Sequence, residues 1–289
     1  MEVYNENGRF ISILSDYGFK ATFGNEADTT FLKKTLQALI NSKTPIRSIE
    51  FAKNDISAIT IDSRSGIYDI ACIDEKDNHF IVEMQLSEYP EFIQRMKFYA
   101  LHRFNTLVKK GDYKFENLPN IYCIGILSKN IFSQIADYHN IAVLRNDKNE
   151  TIDDQMTFVT VELNKFKKQE NEVTTDLDKL IYTMQNLHKV NETSQFPIFW
   201  NEDWLKKAIS EVDTRNMTTE QKLAFEMTVS ANALAIKNEK RKIKEAEQKK
   251  TAEFVKNSLE QGLEPVLIVK LADTTLDYVL ELQQQLTAN

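Results

Sequence analysis

Residues 120–127 read NIYCIGIL, a largely apolar run of strand length that carries no charge. A continuous apolar run is typical of a strand that lies in a sheet covered on both faces, as in α/β proteins. Residues 89–111, which precede it, predict a long helix, with Pro90 in its first turn and Gly111 past its end. A helix that leads directly into a fully buried strand indicates a layered α/β domain.

The segments around this helix and strand predict the other parts of the same domain. Apolar residues at helical spacing predict a helix over 27–41, and alternation predicts a strand over 46–52. Two β-rich runs, 66–74 and 79–86, flank the polar turn EKDN and predict a hairpin. A further alternating strand is predicted over 156–163. The order of helix, strand, hairpin, helix and buried strand gives the fold class α/β.

The organisation of the chain changes from mixed to helical along its length. We expect an α/β core over residues 1–170, a helical extension packed on that core over 171–217, and a long helix with a helical tail over 218–289. The chain has only seven Gly and five Pro, which favours long helices over an all-β sandwich with many tight turns.

The predicted long helix is polar on every side between Lys237 and Lys250. Such a stretch is most often a solvated helix, and the alternative is an arm that offers its cations to DNA phosphates or a partner subunit. The tail beyond Gly262 is apolar again and must dock on something. We expect it to dock on the core or on a second copy of the chain, and we favour the second, a homodimer through the C-terminal helices.

The composition and charge argue against some classes of protein. A formal charge of −7 weighs against a surface that coats DNA broadly, but not against a nuclease, because a metal site needs carboxylates and a basic groove can be local. Cys72 and Cys123 lie in apolar runs and are interpreted as core residues. No signal peptide and no apolar run of membrane length is visible, so a soluble cytoplasmic protein is expected, without membrane contact.

The predicted hairpin carries acidic residues inside apolar runs. Asp69 lies in GIYDIACID, and Glu83 and Gln85 lie two residues apart in FIVEMQL, so the latter two share one face of their strand. Two carboxylates that converge at one end of adjacent strands would suit Mg²⁺, a hard ion that takes oxygen ligands and keeps several waters. The alternative is structural, with Asp69 facing solvent and Glu83 in an ordinary ion pair.

Other charged residues are weaker candidates. Asp16 and Lys20 are spaced for an ion pair on one helix, and the alternative places them at the rim of the site. Glu50 is considered as a further metal ligand, but a structural role is preferred. The four histidines show no ligand spacing.

Four segments in order resemble the recombination-promoting nuclease/putative transposase family, also described as PD-(D/E)xK nuclease family transposases. The first is DYGFKATFG (16–24), and the second is the pair YDI and IVEMQ around Asp69 and Glu83. The third runs from QRMKFYALHRF through the GDYKFENLP turn to NIYCIGIL, and the fourth is FVTVELNKF (158–166). The resemblance extends over residues 10–286.

The resemblance implies a restriction-endonuclease-like core, with a central mixed sheet flanked by helices, and cleavage of DNA that depends on Mg²⁺ or Mn²⁺. By this resemblance Asp69 matches the first motif acid and Glu83 the acid of (D/E)xK. Gln85 takes the position of the superfamily's lysine, as is usual in this family. Arg95 is the candidate for the replacement cation, and Tyr99 lies one turn further on the same helix face.

The expected function is therefore a Mg²⁺-dependent DNA endonuclease linked to recombination or mobile elements. Asp69 and Glu83 would bind the ion, Gln85 would orient the water, and Arg95 would bind the scissile phosphate. The rival interpretation is a catalytically weak or inactive nuclease fold that serves as a DNA- or protein-binding module. The net charge of −7 and the missing lysine favour the rival, and the retained Asp69, Glu83 and Gln85 favour the enzyme.

Overall fold

A central mixed sheet forms the middle layer of the computed structural model, which describes residues 8–53, 55–56, 66–67, 69–86, 91–108 and 115–287. Within these residues, the sheet has six strands in the order β1-β4-β5-β6-β8-β7. The strands are β1 (Ile49–Phe51), β4 (Ile70–Asp74), β5 (His79–Gln85), β6 (Ile121–Leu127), β7 (His139–Arg145) and β8 (Thr151–Glu162). Two short strands, β2 (Asp55–Ile56) and β3 (Gly66–Ile67), pair with each other outside this sheet. The mixed sheet confirms the predicted fold class.

The described residues also form α-helices before, between and after the strands along the chain. They are α1 (Asp16–Phe23), α2 (Thr30–Leu39), α3 (Phe92–Leu107), α4 (Asp176–Asn186), α5 (Asp203–Glu211), α6 (Thr219–Glu260), α7 (Pro265–Ala272) and α8 (Leu276–Thr287). The chain divides into two compact units, residues 1–222 and residues 223–289.

The strand directions explain why the apolar run at 121–127 is buried. β6 lies between β5 and β8 and is parallel to both, while β4 and β5 form the antiparallel hairpin. A parallel strand in the centre of a sheet needs cover on both faces. The apolar side of α3 covers one face, where Phe92, Met96 and Tyr99 pack against Ile81 of β5.

Helices α4 and α5 continue the apolar core of the first unit, and both pack on α2. Phe31 of α2 stacks on Trp204 of α5 at 5.8 Å between ring centroids, and Phe23 of α1 meets Phe31 edge to face. Asp178 at the start of α4 is fully buried, and its carboxylate accepts hydrogen bonds from Lys168 and from the Tyr138 hydroxyl. A buried charge is tolerated when it is paired and hydrogen-bonded in this way.

Three sequence predictions need correction. The run 66–74 does not form one strand, because β3 ends at Ile67 and β4 begins at Ile70. Strand β7 was not predicted, and β8 is longer than the predicted 156–163. Helix α3 is shorter than 89–111, and Pro90 and Gly111 lie outside the described residues.

The second unit contains the helical tail, which packs on the long helix of its own chain, a contact that neither predicted alternative included. Helices α7 and α8 pack on the last turns of α6 in the same chain, where Val255 joins Ile268, Val279 and Leu282 in a small buried cluster. Gly262, with a φ of 79°, gives the left-handed turn that lets the chain reverse after α6. In the described part of the chain, no helix is both long enough and apolar enough to cross a membrane.

Candidate active site

Asp69 lies at the bend immediately before β4, and it does not lie inside a strand as predicted. Because Ile70 pairs with Val82 in the hairpin, Asp69 lies beside Glu83 of β5. The Asp69 Oδ2 atom accepts a hydrogen bond from the backbone N–H of Met84 at 2.8 Å, which fixes the carboxylate against β5. The two predicted acids are therefore neighbours, Glu83 on β5 and Asp69 at the residue before β4.

Glu83 is buried and faces helix α3. One guanidinium nitrogen of Arg95, Nη2, lies 3.0 Å from Glu83 Oε2 and 3.2 Å from Gln85 Oε1. The second Glu83 oxygen, Oε1, is buried and has no hydrogen-bond partner among the described residues. An unsatisfied buried carboxylate oxygen is costly in a purely structural role, so its presence favours a site that binds a ligand.

Electrostatics at this pair oppose ionisation. Burial, and then the charge of Asp69, raise the pKa of Glu83 from 4.5 to about 8, although the nearby Arg95 acts in the opposite direction. Burial also raises the pKa of Asp69, against the lowering effect of the Met84 N–H and of Lys20. Two acids with raised pKa values in one place are typical of a functional site.

Arg95 and Tyr99 lie on the same face of α3, as their spacing predicts. The Arg95 guanidinium carbon is 5.8 Å from the centroid of the Tyr99 ring and 5.8 Å from that of Phe92. The Tyr99 side chain is buried in the core between α3 and the sheet. These rings hold the cation towards Glu83 and Gln85, whereas direct contact of Tyr99 with DNA stays a prediction.

Asp16 and Lys20 form the predicted ion pair on α1, with Nζ 3.0 Å from Oδ1 and both side chains exposed. Their charges also act on Asp69, since Lys20 lowers the pKa of Asp69 and Asp16 raises it. The ion pair therefore lies close enough to Asp69 to affect its charge, and a role at the rim of a DNA-binding site stays a prediction. Glu50, in contrast, is exposed and pairs with Ile73 at the other end of β4, about 13 Å from Asp69 along the strand.

Gly125 contributes to the site and was not predicted. It lies opposite Glu83 on β6, and a Cβ atom there would come within 2.4 Å of the Phe92 ring. The absence of a side chain lets α3 approach the sheet, which brings Arg95 to Glu83. A lone glycine inside a strand pattern signals such a close approach, so NIYCIGIL contained the information.

Two carboxylates, those of Asp69 and Glu83, are available to bind a metal ion at this site. The described residues contain no group of three or more His, Cys, Asp and Glu side chains placed to hold a metal ion. Mg²⁺ usually keeps several waters and is bound by one or two carboxylates together with substrate phosphates. Asp69 and Glu83, with the unpartnered Oε1 between α3 and the sheet, fit that requirement.

The raised pKa of Glu83 predicts that the stability of the metal-free protein depends on pH. Since the folded protein holds the Glu83 proton up to about pH 8 and the unfolded chain releases it near pH 4.5, the free energy of unfolding falls as the pH rises between these values. Glu83→Gln removes this loss. Without metal, we expect the Tm of Glu83→Gln to exceed that of the wild type at pH 9 by at least about 2–4 °C, which corresponds to a gain in the free energy of unfolding of at least about 1 kcal/mol.

The control for this prediction is Glu50→Gln, which makes the same change at an exposed position. Its Tm should follow the wild type at every pH, and the gain of Glu83→Gln should vanish near pH 4. A Glu83→Gln protein that melts below the wild type at pH 9 would mean that the ion pair with Arg95 has a structural role.

The fold and the candidate site together indicate the structural class of the protein. A mixed sheet flanked by helices, with two acids on a hairpin and a helix that leads into the next parallel strand, is the arrangement of a restriction-endonuclease-like core. A family model described as PD-(D/E)XK nuclease family transposase matches residues 13–239, which is more than half of the chain. The protein belongs to this PD-(D/E)XK nuclease family. Searches of curated proteins and of solved structures found no match.

Proposed function

We propose that this protein is a Mg²⁺-dependent DNA endonuclease that hydrolyses phosphodiester bonds at the Asp69–Glu83 site. The observation that carries the proposal is the buried Glu83 beside Asp69, with one carboxylate oxygen that lacks a partner among the described residues. Membership of the nuclease family supports the reaction class. The biological setting that we infer is recombination or a mobile element, inside the cell.

Asp69 and Glu83 are the residues that would hold Mg²⁺ or Mn²⁺. When bound, such an ion lowers the pKa of water and stabilises the charge that develops on the phosphate. The hydrogen bond from the Met84 N–H keeps the Asp69 carboxylate turned towards Glu83. Glu83 is buried and cannot be satisfied by bulk water, so its ionised form needs a nearby cation.

Gln85 and Arg95 act on the water and the phosphate in this proposal. The carbonyl oxygen of Gln85 accepts from Arg95, so its amide group can orient a water by donating a hydrogen bond. Gln85 has no ionisable group and cannot take the proton of that water. Arg95, a planar cation with several donors, would bind the scissile phosphate. Lys20 and Asp16 at the rim would contact the flanking DNA backbone, and Tyr99 would position Arg95.

A second candidate is a nuclease fold that binds DNA or protein without cutting efficiently. The amide at Gln85 favours it, because the superfamily's lysine supplies a charge at this position that an amide lacks. A homodimer through the C-terminal helices also stays a prediction. The exposed Leu223, Met227 and Leu234 on α6 are compatible with such a partner.

The direct test of the proposal is metal binding measured without DNA. Wild-type protein titrated with Mn²⁺ should bind one equivalent, followed by the loss of the electron paramagnetic resonance signal of free Mn²⁺. Asp69→Asn keeps an oxygen that can accept from Met84 but removes the charge, so the affinity should fall at least tenfold. Glu50→Gln should bind like the wild type, and equal affinity in all three proteins would refute the site.

A further inference from the structure

Four cations lie on one side of helix α6. With about 3.6 residues per turn, positions 237, 240, 241 and 244 fall within an arc of about 100°. Lys237, Lys240, Arg241 and Lys244 are all exposed, and we call them the cationic stripe. Glu245 and Glu247 fall outside this arc, so within these turns the acids lie to the sides of the stripe.

The stripe stands out against the charge of the chain. Residues 237–250 contain seven Lys and Arg and three Glu, a net charge of +4, while the whole chain carries −7. A positive stretch in an acidic protein is a local field that attracts anions, although its effect is screened within about 10 Å at moderate salt. The other faces of the same stretch carry Lys242, Lys249 and Lys250.

The cations of the stripe form few ion pairs with the described residues of the chain. In the described part of the chain, Lys237, Lys240 and Lys244 take part in no salt bridge, and Arg241 reaches Glu245 only at 3.8 Å. Both members of that pair are about two-thirds exposed. Exposed pairs of this kind contribute little to stability. The stripe is therefore available to a partner at small cost.

The geometry matches a nucleic-acid backbone better than a membrane. Lys237 and Lys244 are separated by about 10 Å along the helix axis, and one DNA strand presents about three phosphates over that length. A membrane-surface helix needs an apolar face that enters the lipid. Over 237–250 the apolar residues are only Ile243 and Ala246, and the Ile243 side chain is about half exposed.

From these observations we propose that the cationic stripe binds the phosphate backbone of the DNA substrate, without reading its sequence. The proposal rests on the function proposed above and adds a contact surface on α6 to the site on the sheet. Contacts to phosphates release counterions, so they make affinity depend steeply on salt.

The experiment compares two triple variants of the full chain that remove the same number of charges from different faces of α6. Lys237→Gln/Lys240→Gln/Lys244→Gln removes three charges from the stripe, and Lys242→Gln/Lys249→Gln/Lys250→Gln removes three charges from the other faces. Lys and Gln have similar helix propensities, and circular dichroism checks that α6 is kept. Binding of a short fluorescein-labelled duplex is measured by anisotropy in EDTA over a series of salt concentrations.

The stripe variant should bind more weakly, and its slope of log affinity against log salt should be shallower by about 2–3 units. The control variant should lose less than one unit. If the wild type and the stripe variant have equal salt slopes, or if both variants lose equal affinity for DNA, the stripe does not bind DNA. Either result leaves the nuclease proposal intact. Loss of binding to phosphatidylserine vesicles with unchanged DNA binding also overturns the stripe proposal. A wild type that neither binds nor cuts DNA removes both proposals.

Discussion

Replacing either site acid by its amide, Asp69→Asn or Glu83→Gln, should reduce Mg²⁺-dependent cleavage of supercoiled plasmid by a factor on the order of 10³ or more. The physical reason is that each variant removes one of two charged ligands while keeping the shape of the side chain. The Asp69 carboxylate is held by the Met84 N–H, and an amide oxygen can accept the same bond. The measurement is the rate of nicked and linear product, with EDTA as the metal-free reference.

Glu50→Gln is the matched control for cleavage, because Glu50 is an exposed acid of the same sheet far from Asp69. It should cut at the wild-type rate. Two results would contradict the proposed function. Cleavage that persists equally in both site variants points to a contaminating nuclease, and wild-type protein that binds DNA without cutting it supports the binding-module interpretation.

Acidic residues inside apolar runs marked Asp69 and Glu83 as candidates, but the pattern alone left a structural role open, and the resemblance to the nuclease family selected the metal-site interpretation. Glu83 and Gln85 are two residues apart on β5, so the sequence alone placed them on one face. Arg95 followed from its position one turn before Tyr99. The bend at Asp69 was not predictable, because the run GIYDIACID carries β-forming apolar residues both before and after the break between β3 and β4.

Other elements were missed for reasons of packing. Strand β7 lies at the edge of the sheet, with half-buried or exposed residues along its whole length, so HNIAVLR lacks a clear apolar face. The docking of the tail depends on contacts between Val255 and residues that follow Gly262. Periodicity shows that α7 and α8 each need a partner surface, but it does not say which surface they find.

A buried ion pair holds the loop that follows β6, at the end of the sheet where β5 ends with Gln85. Glu162, the last residue of β8, is fully buried, and its Oε1 accepts hydrogen bonds from the backbone N–H groups of Ile131 and Phe132. Lys165 pairs with the other oxygen, and its Nζ also donates to the carbonyl oxygens of Phe132 and Ile135 at 2.8 and 2.6 Å. This arrangement gives the FVTVELNKF segment a structural role.

Glu162→Ala should therefore destabilise the protein strongly. It leaves Lys165 buried without its counter-charge and two backbone N–H groups without an acceptor, a loss of about 3–5 kcal/mol. The Tm should fall by about 10 °C or more. The measurement is thermal unfolding followed by circular dichroism at neutral pH.

The double variant Glu162→Ala/Lys165→Met separates the buried charge from the lost contacts. If the unpaired cation causes most of the loss, the double variant should be more stable than Glu162→Ala alone, because replacing both members of a buried pair costs less than breaking it. A Glu162→Ala protein within about 1 kcal/mol of the wild type would contradict this account. The loop begins where the Ser128 N–H donates to the Gln85 carbonyl oxygen at 3.0 Å. Loosening it should therefore also disturb the strand end that carries Gln85.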